Sequence, residues 1–264
     1  MISNVDKHSP AKGLTNDPRF LSSVERGFQV LDALAAASGP MSLTEISRQT
    51  GLAIPTLQRL TSTLVNSGYV LKEKTSKRFK PSVKTVDLLH GYLSRNQFAS
   101  RAWPHLVGLR EQIGLDVSLS VPHGNSMIYV HRLPGYPGNF ENTLPGRKVP
   151  MHLSASGRCI LSFNSQEQIE QYLELAEMPL LTPWSSTDKP EIMRQVSLCR
   201  EQGYAVVKQE ASPGIMTLGC PVMQKNEAIA GVSVHIPAAG TDKNNFLSQV
   251  LSPALSVAHT LSIN

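Results

Sequence analysis

Basic side chains are dense between positions 72 and 84, where Glu73 is the only acidic residue. Cations at this density can neutralise the phosphates of DNA and release the counterions bound to them. Gln58 and Arg59 lie upstream, and such side chains pair with adenine and with guanine or phosphate, respectively. A charge run alone is usually a solvated surface, so DNA binding depends on the elements that hold these residues. The basic residues are Lys72, Lys74, Lys77, Arg78, Lys80 and Lys84.

Two short helices joined by a tight turn are predicted to present the upstream polar residues. Ser42 and Glu45 have the spacing of a capping box, which sets the start of the first helix. Gly51 supplies the turn, Pro55 suits the first turn of the second helix, and Gly68 ends it. The predicted buried stripe of the second helix is Leu57, Leu60, Leu64 and Val65. The residues expected to contact DNA from its solvent face are Thr56, Gln58, Arg59 and Ser62.

A basic hairpin is predicted after the helix pair. The stretches "YVLKE" and "RFK" favour strands, and "KTSK" between them carries turn residues. An earlier amphipathic helix in "SSVERGFQVLDALAAAS" has its apolar face predicted at Val24, Phe28, Leu31, Leu34 and Ala35. Three helices followed by a basic hairpin form a winged helix-turn-helix, whose second paired helix fits the roughly 12 Å wide major groove. We expect phosphate contacts from Lys74, Lys77 and Arg78.

Positive charge is concentrated in the first part of the chain. The first hundred residues hold 13 Lys and Arg against 7 Asp and Glu, whereas the remainder holds 12 against 13. The net charge of +5 therefore comes from the N-terminal part. At 264 residues the chain is long enough for two domains of ordinary size, and an apolar content of 41% is sufficient for their cores.

Composition argues against several classes of protein. Cys159, Cys199 and Cys220 are odd in number and widely spaced, which favours neither a disulfide framework nor a thiolate zinc site. No apolar run approaches the roughly 20 residues of a membrane span. The polar first 20 residues lack the apolar centre of a signal peptide and are predicted to be a flexible arm over 1–20. We expect a cytoplasmic protein with no membrane partner, metal or cofactor.

Beyond the hairpin, helical patterns give way to alternating ones. A linker helix is predicted over 83–100, with Val86, Leu89 and Leu93 on one face, and Ala102, Leu106 and Leu109 mark a second helix. The strand-like stretches are "DVSLSVP", "SMIYVHRLPG", "YAVVKQE", "GIMTLGCPVMQ" and "AIAGVSVHIP". These patterns predict an α+β chain of two domains. The first domain is a winged helix-turn-helix over 21–82. The second, over 101–264, is a mixed antiparallel sheet flanked by helices.

Several blocks of the sequence occur in an order and spacing that can be compared with known families. They are "SSVERGFQVLDAL", "SLTEISRQTGLAIPTLQRLTSTLVNSGYV", "GRKVPMHLSASGRCIL", "LTPWSSTD", "REQGYAVVKQEASPGIMTLGCPV" and "GVSVHIP". Over about residues 20–262 they resemble the IclR family of bacterial transcriptional regulators. The resemblance implies a winged helix-turn-helix followed by a GAF-like domain that binds a small metabolite. It also implies a homodimer or homotetramer that acts, as repressor or activator, on a palindromic operator in double-stranded DNA.

The resemblance also implies a set of effector-binding positions in the C-terminal domain. In "HLSASGRC" a loop runs into a helix N-terminus, where free N–H groups favour a carboxylate. Val207 stands where some relatives have an acidic residue, which favours a weakly polar, aromatic acid over a polyhydroxylated one. Ligand contact is not the only role open to these residues. Ser233 and Thr217 could instead form hydrogen bonds to the backbone, and His235 could be a core residue. The matching positions are Ala155, Ser156, Val207, Ile215, Thr217, Ser233 and His235.

The sequence departs from the family pattern in the DNA-binding part. Ile54 and Pro55 replace a common Lys-Ser pair, and Ser76 or Lys77 replaces the usual glycine of the wing. Gln58 stands where His or Tyr is frequent, which favours adenine.

Two other functions were weighed. One is a DNA-binding repressor that needs no ligand. The other is a hydrolase using Cys159 and His152, although no G-x-S-x-G motif is present. His123, His131 and His152 lack close spacing for a metal.

Overall fold

The computed structural model describes residues 19–135 and 144–262. The described chain divides into two compact units, with the boundary between Asn96 and Gln97. The predicted arm over 1–20 lies outside the described residues except for its last two positions. No helix in the described residues is long and apolar enough to cross a membrane.

The N-terminal unit is a winged helix-turn-helix of three helices and a hairpin, followed by a fourth helix. Its elements are α1 (Ser22–Ala36), α2 (Leu43–Thr50), α3 (Ile54–Asn66), β1 (Val70–Lys72), β2 (Phe79–Pro81) and α4 (Thr85–Arg95). The predicted capping box is confirmed, because Ser42 Oγ accepts from Glu45 N at 3.3 Å and the Glu45 carboxylate accepts from Ser42 N at 2.7 Å. Gly51 ends α2 with φ of 72°, a left-handed conformation that glycine adopts without strain.

The predicted hairpin is also confirmed. Strands β1 and β2 pair antiparallel, with Val70 opposite Pro81 and Lys72 opposite Phe79. Met41, in the connection before α2, bridges to Phe79 and extends this small sheet. The connection and the hairpin share one core, since Met41, Val70 and Phe79 are all buried with Ile46 and Leu57 of the two paired helices.

The apolar face predicted for α1 is only partly buried. Leu34 is buried and Leu31 is half-buried, but the exposed fractions of Val24 and Phe28 are 51% and 60%, and Ala35 is also exposed. The buried residues of α1 are Val30, Ala33 and Leu34. Only this part of the helix packs into the core of the unit, so the apolar residues of its first two turns have no cover within the unit.

The C-terminal unit is an antiparallel sheet with helices on both faces. Its helices are α5 (Gln97–Ile113), α6 (Ala155–Ser162), α7 (Gln166–Leu175), α8 (Lys189–Gln202) and α9 (Lys243–Leu261). Its strands are β3 (Asp116–His123), β4 (Ser126–Leu133), β5 (Lys148–Pro150), β6 (Ala205–Lys208), β7 (Ile215–Gln224) and β8 (Glu227–Pro237). The strand order is β5-β4-β3-β8-β7-β6, and neighbouring strands are antiparallel.

The two faces of the sheet differ in chemistry. Helices α5 and α9 pack on one face, where Leu106, Leu109, Phe246 and Val250 are buried against apolar strand residues such as Leu218. Helix α6 packs on the other face, which carries serine, threonine, histidine and arginine side chains. The polar face is therefore the place where this unit can bind a polar ligand.

Two glycines let α6 lie directly on the polar face. A Cβ atom at Gly219 would collide with the Ser156 amide, and one at Gly231 would collide with the Ser156 side chain. The missing side chains allow the helix to approach the backbone of β7 and β8. The first turn of α6 is consequently fixed above the centre of the sheet.

Candidate functional site

Helix α3 presents the predicted base-reading residues to solvent. Gln58, Arg59 and Ser62 are exposed, and Thr56 is half-buried. On the opposite side, Leu57 is fully buried and fixes the rotation of the helix on its core. The side chains of Gln58, Arg59 and Ser62 make no hydrogen bond within the described residues, so they are available to a partner.

The wing cations fall into two groups. Four are engaged within the unit: Lys80 pairs with Glu73 at 3.1 Å, Lys84 donates to the Ser67 carbonyl at 2.7 Å, Lys72 Nζ lies 5.3 Å from the Phe79 ring centroid, and Arg78 is the fourth. Arg78 pairs with Glu45 at 2.8 Å. Lys74 and Lys77 are exposed and have no ion pair in the part of the chain that the structure describes. Lys77 has φ of 58°, a left-handed conformation that is uncommon for residues other than glycine.

In the C-terminal unit, neighbouring strands align polar residues across the α6 face of the sheet. Ser118 of β3 lies opposite Arg132 of β4 on one side and opposite Ser233 of β8 on the other. Two residues further along the strands, a second row is formed: Asp116 lies opposite His235, and His235 lies opposite Thr217. Since alternate residues of a strand share a face, both rows face α6.

Two polar atoms in these rows lack a partner. Arg132 Nη1 and Ser233 Oγ are buried and form no hydrogen bond in the described structure. Burial lowers the pKa of Arg132, but a guanidinium keeps its proton at neutral pH. Leaving a buried donor unsatisfied is unfavourable by about 1–3 kcal/mol, and more for a charged group. Arg132 and Ser233 lie on one row, since both are opposite Ser118.

His235 is neutral and its ring is fixed. Its Nε2 lies 2.7 Å from Ser118 Oγ, and its Nδ1 lies 3.0 Å from Thr217 Oγ1. Burial lowers the pKa of His235 well below its usual range, and the nearby guanidiniums of Arg132 and Arg147 act in the same direction. A neutral ring accepts at one nitrogen and donates at the other, so one hydroxyl donates to it and the other accepts from it.

A β-bulge places Tyr129 and Arg132 on the same face. The register shifts so that Leu119 pairs with His131 while Ser120 pairs with Tyr129, which leaves Val130 as an extra residue. The Arg132 guanidinium carbon lies 4.4 Å from the Tyr129 ring centroid, as their common face requires. Neither residue was predicted as a site residue, because simple alternation puts positions three apart on opposite faces.

The remaining predicted effector residues have less available chemistry. Ala155 and Ser156 are buried in the first turn of α6, and Ser156 Oγ lies 2.8 Å from Ser120 Oγ and 3.0 Å from Ser154 Oγ. Val207 is buried in an apolar cluster that includes Ala155. Ile215 is half-buried at the start of β7, on the same side as Thr217. Within residues 19–135 and 144–262, the hydroxyls of Ser233 and Thr217 form no hydrogen bond to the backbone.

Cys159 and His152 do not form a catalytic pair in the described structure. The Cys159 thiol donates to the Gly219 carbonyl at 3.3 Å, whereas His152 Nδ1 lies 2.8 Å from the Tyr172 hydroxyl. Burial and the neighbouring Cys199 raise the pKa of Cys159 well above its usual range, and a protonated thiol is a poor nucleophile. Among the described residues there is also no group of three His, Cys, Asp or Glu side chains that could hold a metal ion.

A winged helix-turn-helix with exposed cations, followed by a sheet domain with a polar face, is an arrangement expected of a ligand-responsive DNA-binding regulator. Residues 23–74 match the IclR helix-turn-helix domain, and residues 90–263 match the family described as bacterial transcriptional regulator IclR C-terminal. The chain belongs to the IclR family of transcriptional regulators. It has a DNA-binding helix-turn-helix domain and a C-terminal effector-binding domain.

Similar proteins are regulators of transcription. The HTH-type transcriptional regulator XynR of Escherichia coli is 24% identical over 92% of this chain and 98% of its own length. The Pca regulon regulatory protein of Pseudomonas putida is 25% identical over 96% of this chain and 89% of its own.

Solved structures share the fold. An IclR transcriptional regulator from Alicyclobacillus acidocaldarius superposes with a TM-score of 0.78 at 24% identity, over 92% of this chain and 98% of its own. An IclR homologue from Microbacterium hydrocarbonoxydans, complexed with 4-hydroxybenzoate, superposes with a TM-score of 0.70 at 18% identity, over 90% of this chain and 98% of its own.

Proposed function

We propose that this regulator binds a small organic acid on the polar face of its C-terminal sheet, and that the acid changes its affinity for a palindromic operator. The observation that carries the proposal is the pair of unsatisfied donors, Arg132 Nη1 and Ser233 Oγ, on one row of the sheet. A carboxylate satisfies both, because its two oxygens accept from a guanidinium and a hydroxyl at once.

The surroundings favour an aromatic or otherwise weakly polar acid. Tyr129 packs with Val149, Leu153 and Ala211 in an apolar cluster beside the donors. Its ring and that of His235 lie edge to face, with centroids 6.1 Å apart. A relative of the same fold binds 4-hydroxybenzoate, which has this chemistry. Ser156, Thr217 and His235 belong to the proposed site through their hydroxyls and ring, and Ala155, Val207 and Ile215 through their apolar surface.

A screen of ligands by thermal unfolding tests the proposal. Benzoate, 4-hydroxybenzoate and gluconate would be compared on the full chain, with the aromatic acids expected to stabilise it. A ligand present at 100 times its Kd adds about 2.7 kcal/mol. Arg132→Met and Ser233→Ala remove one donor each, and loss of a charged hydrogen bond of about 1.5–3 kcal/mol weakens binding by roughly 10- to 150-fold.

Arg194→Met is the matched control for these variants. Arg194 is an arginine of the same unit, but its side chain is 63% exposed on α8 and pairs with Glu191. It should bind the acids as the parent does. Equal weakening in the Arg194 and Arg132 variants, or stabilisation by gluconate alone, contradicts the proposed site. Binding of an acid without change in DNA affinity instead supports the ligand-independent alternative.

The proposed DNA contacts are Thr56, Gln58, Arg59 and Ser62 from α3 and Lys74 and Lys77 from the wing, since these side chains are positioned for a partner. Recognition of a palindrome requires a two-fold protein, because one recognition helix covers too few base pairs. Helix α4 supports an oligomer, since none of its residues is buried in the single chain. Val86, Leu88 and Tyr92 on α4, with Val24 and Phe28 on α1, are the proposed contacts.

A further inference from the structure

Arg78 is the wing cation with the most contacts inside the N-terminal unit. Its Nη1 donates to Glu45 Oε2 and to the Pro40 carbonyl, each at 2.8 Å, and its Nη2 donates to Glu45 Oε1 at 3.2 Å. Both carboxylate oxygens are therefore engaged by one guanidinium. Such a fork fixes the direction of the side chain, which a single contact does not.

Glu45 is itself held in place by the start of α2. Its Oε2 accepts from both the backbone N and the Oγ of Ser42, each at 2.7 Å. The backbone hydrogen bond from Ser42, together with Arg78, lowers the pKa of Glu45 to about 2, so the carboxylate is charged at neutral pH. The capping box of α2 thus also serves as the receptor for a wing side chain 33 residues further along the chain.

Backbone pairing brings the same two segments together next to Arg78. Met41 N donates to the Phe79 carbonyl at 2.8 Å, and Phe79 N donates to the Met41 carbonyl at 2.7 Å. Strand β2 is consequently joined to the connection before α2 by two backbone bonds and the Arg78 fork. The loop from 73 to 78 begins at β1 and ends at this junction, so the junction sets where the tip of the wing points.

We infer that Arg78 is a positioning residue for DNA binding: it locks the wing to the start of α2, and phosphate contact falls to Lys74 and Lys77. The inference replaces the expected phosphate contact of Arg78. It concerns the DNA-binding domain alone and does not depend on the proposed effector. Lys74 and Lys77 are the wing cations without a partner in the described chain, and both lie in the loop whose end Arg78 fixes.

The two roles predict opposite signs for Glu45→Gln. If Arg78 contacts phosphate, removal of a negative charge near DNA leaves affinity unchanged or raises it. If Arg78 positions the wing, the same change loosens the fork and weakens binding. The two roles also predict different DNA affinities for Arg78→Lys, which keeps the charge but cannot form the fork. A phosphate contact would be kept in this variant, whereas positioning of the wing would be lost.

The experiment measures binding of the full chain to a duplex selected by it from a random library, at several salt concentrations. Glu45→Gln, Arg78→Met and Arg78→Lys should each weaken binding, by roughly 1.5- to fivefold for an ion pair of this exposure. Lys77→Ala lowers the salt slope by about 0.9, as expected for one lost phosphate contact. The loss of DNA affinity caused by Lys77→Ala should be smaller in the Glu45→Gln variant than in the parent, although the Lys77 and Glu45 side chains do not pair.

That coupling separates positioning from simple loss of stability, because destabilisation of the fold does not change how much one lysine contributes to DNA affinity. Thermal unfolding of each variant verifies that it is folded at the assay temperature. Parent-like or tighter binding by Glu45→Gln, or by Arg78→Lys, overturns the inference. So does additivity of Glu45→Gln and Lys77→Ala.

Discussion

At the scale of single residues, two histidines of the C-terminal unit are buried without charge. Burial, and then the Arg158 guanidinium, lower the pKa of His152 to about 4. His152 is held by Tyr172, whose hydroxyl contacts its Nδ1 and its backbone N. The pKa of His235 is lowered too, chiefly by burial. Both rings therefore stay neutral at a pH where an exposed histidine is protonated.

The neutral His152 should make folding depend on pH. In the unfolded chain it binds a proton near its ordinary pKa of 6.5, but in the folded protein only near 4. The unfolded state binds more protons between these values, so its contribution is complete above pH 6.5 and is lost as the pH falls towards 4. We expect the free energy of unfolding to fall by about 2 kcal/mol from this group between pH 7 and 5.

Urea unfolding of the parent and of His152→Gln at the two pH values measures this contribution. The glutamine cannot titrate, so the variant should lose less stability on acidification, while His235 acts equally in both proteins. The carboxylates of Glu45 and Glu191, whose pKa values are about 2, lose their contribution only below pH 4.5. An equal pH dependence of parent and variant contradicts the assignment.

The sequence pattern predicts the solvent face of α3 more directly than it predicts which residues share the polar face of the sheet. The solvent face of α3 follows from one helix with Leu57 buried, a local pattern. The proposed effector site depends on the β-bulge in the β3–β4 hairpin and on pairing of β3 with β8, which is distant in sequence. Arg132 was missed for this reason, and Ser156 was expected to be accessible although Gly219 and Gly231 bring α6 against the sheet.

At the scale of elements, the helix-turn-helix was predictable because its signals are local. Ser42, Glu45 and Gly51 mark both ends of α2 within ten residues, and the structure confirms them. The residues of α1 that are buried are harder to predict, because their burial is decided by where α2 and α3 cover the helix. The β-bulge in β4 has no sequence signal that alternation rules recognise.

Helix α3 and the wing should contribute differently to DNA binding. Gln58→Ala and Arg59→Ala should each weaken binding to a selected duplex by about 1–3 kcal/mol, because base contacts are lost. Lys74→Ala and Lys77→Ala should weaken binding to every duplex and flatten the salt slope by about one unit. Fluorescence anisotropy with selected and random duplexes measures both effects. Equal loss on the two duplexes for Gln58→Ala rules out base reading by this residue.

At the scale of the whole molecule, the exposed apolar residues of α1 and α4 predict a symmetric oligomer. Phe28→Glu places a charge where a partner subunit is expected, and desolvation of that charge opposes association. We expect the variant to sediment as a smaller species than the parent at micromolar concentration. Leu71→Glu is the matched control, since Leu71 is 50% exposed on the wing of the same unit. A monomeric parent, or equal dissociation by both variants, contradicts the predicted interface.

The extra residue Val130 bears on how the ligand preference of such a sheet can change over generations. Substitutions leave the alternation of β4 intact, whereas gain or loss of one codon at the bulge reverses the faces of all residues on one side of it. Tyr129 and Arg132 could then no longer act together, whatever their neighbours were. Which side chains share this face depends on the number of residues in β4 as well as on their identities. Mutant libraries of constant length therefore sample only one of the two possible arrangements.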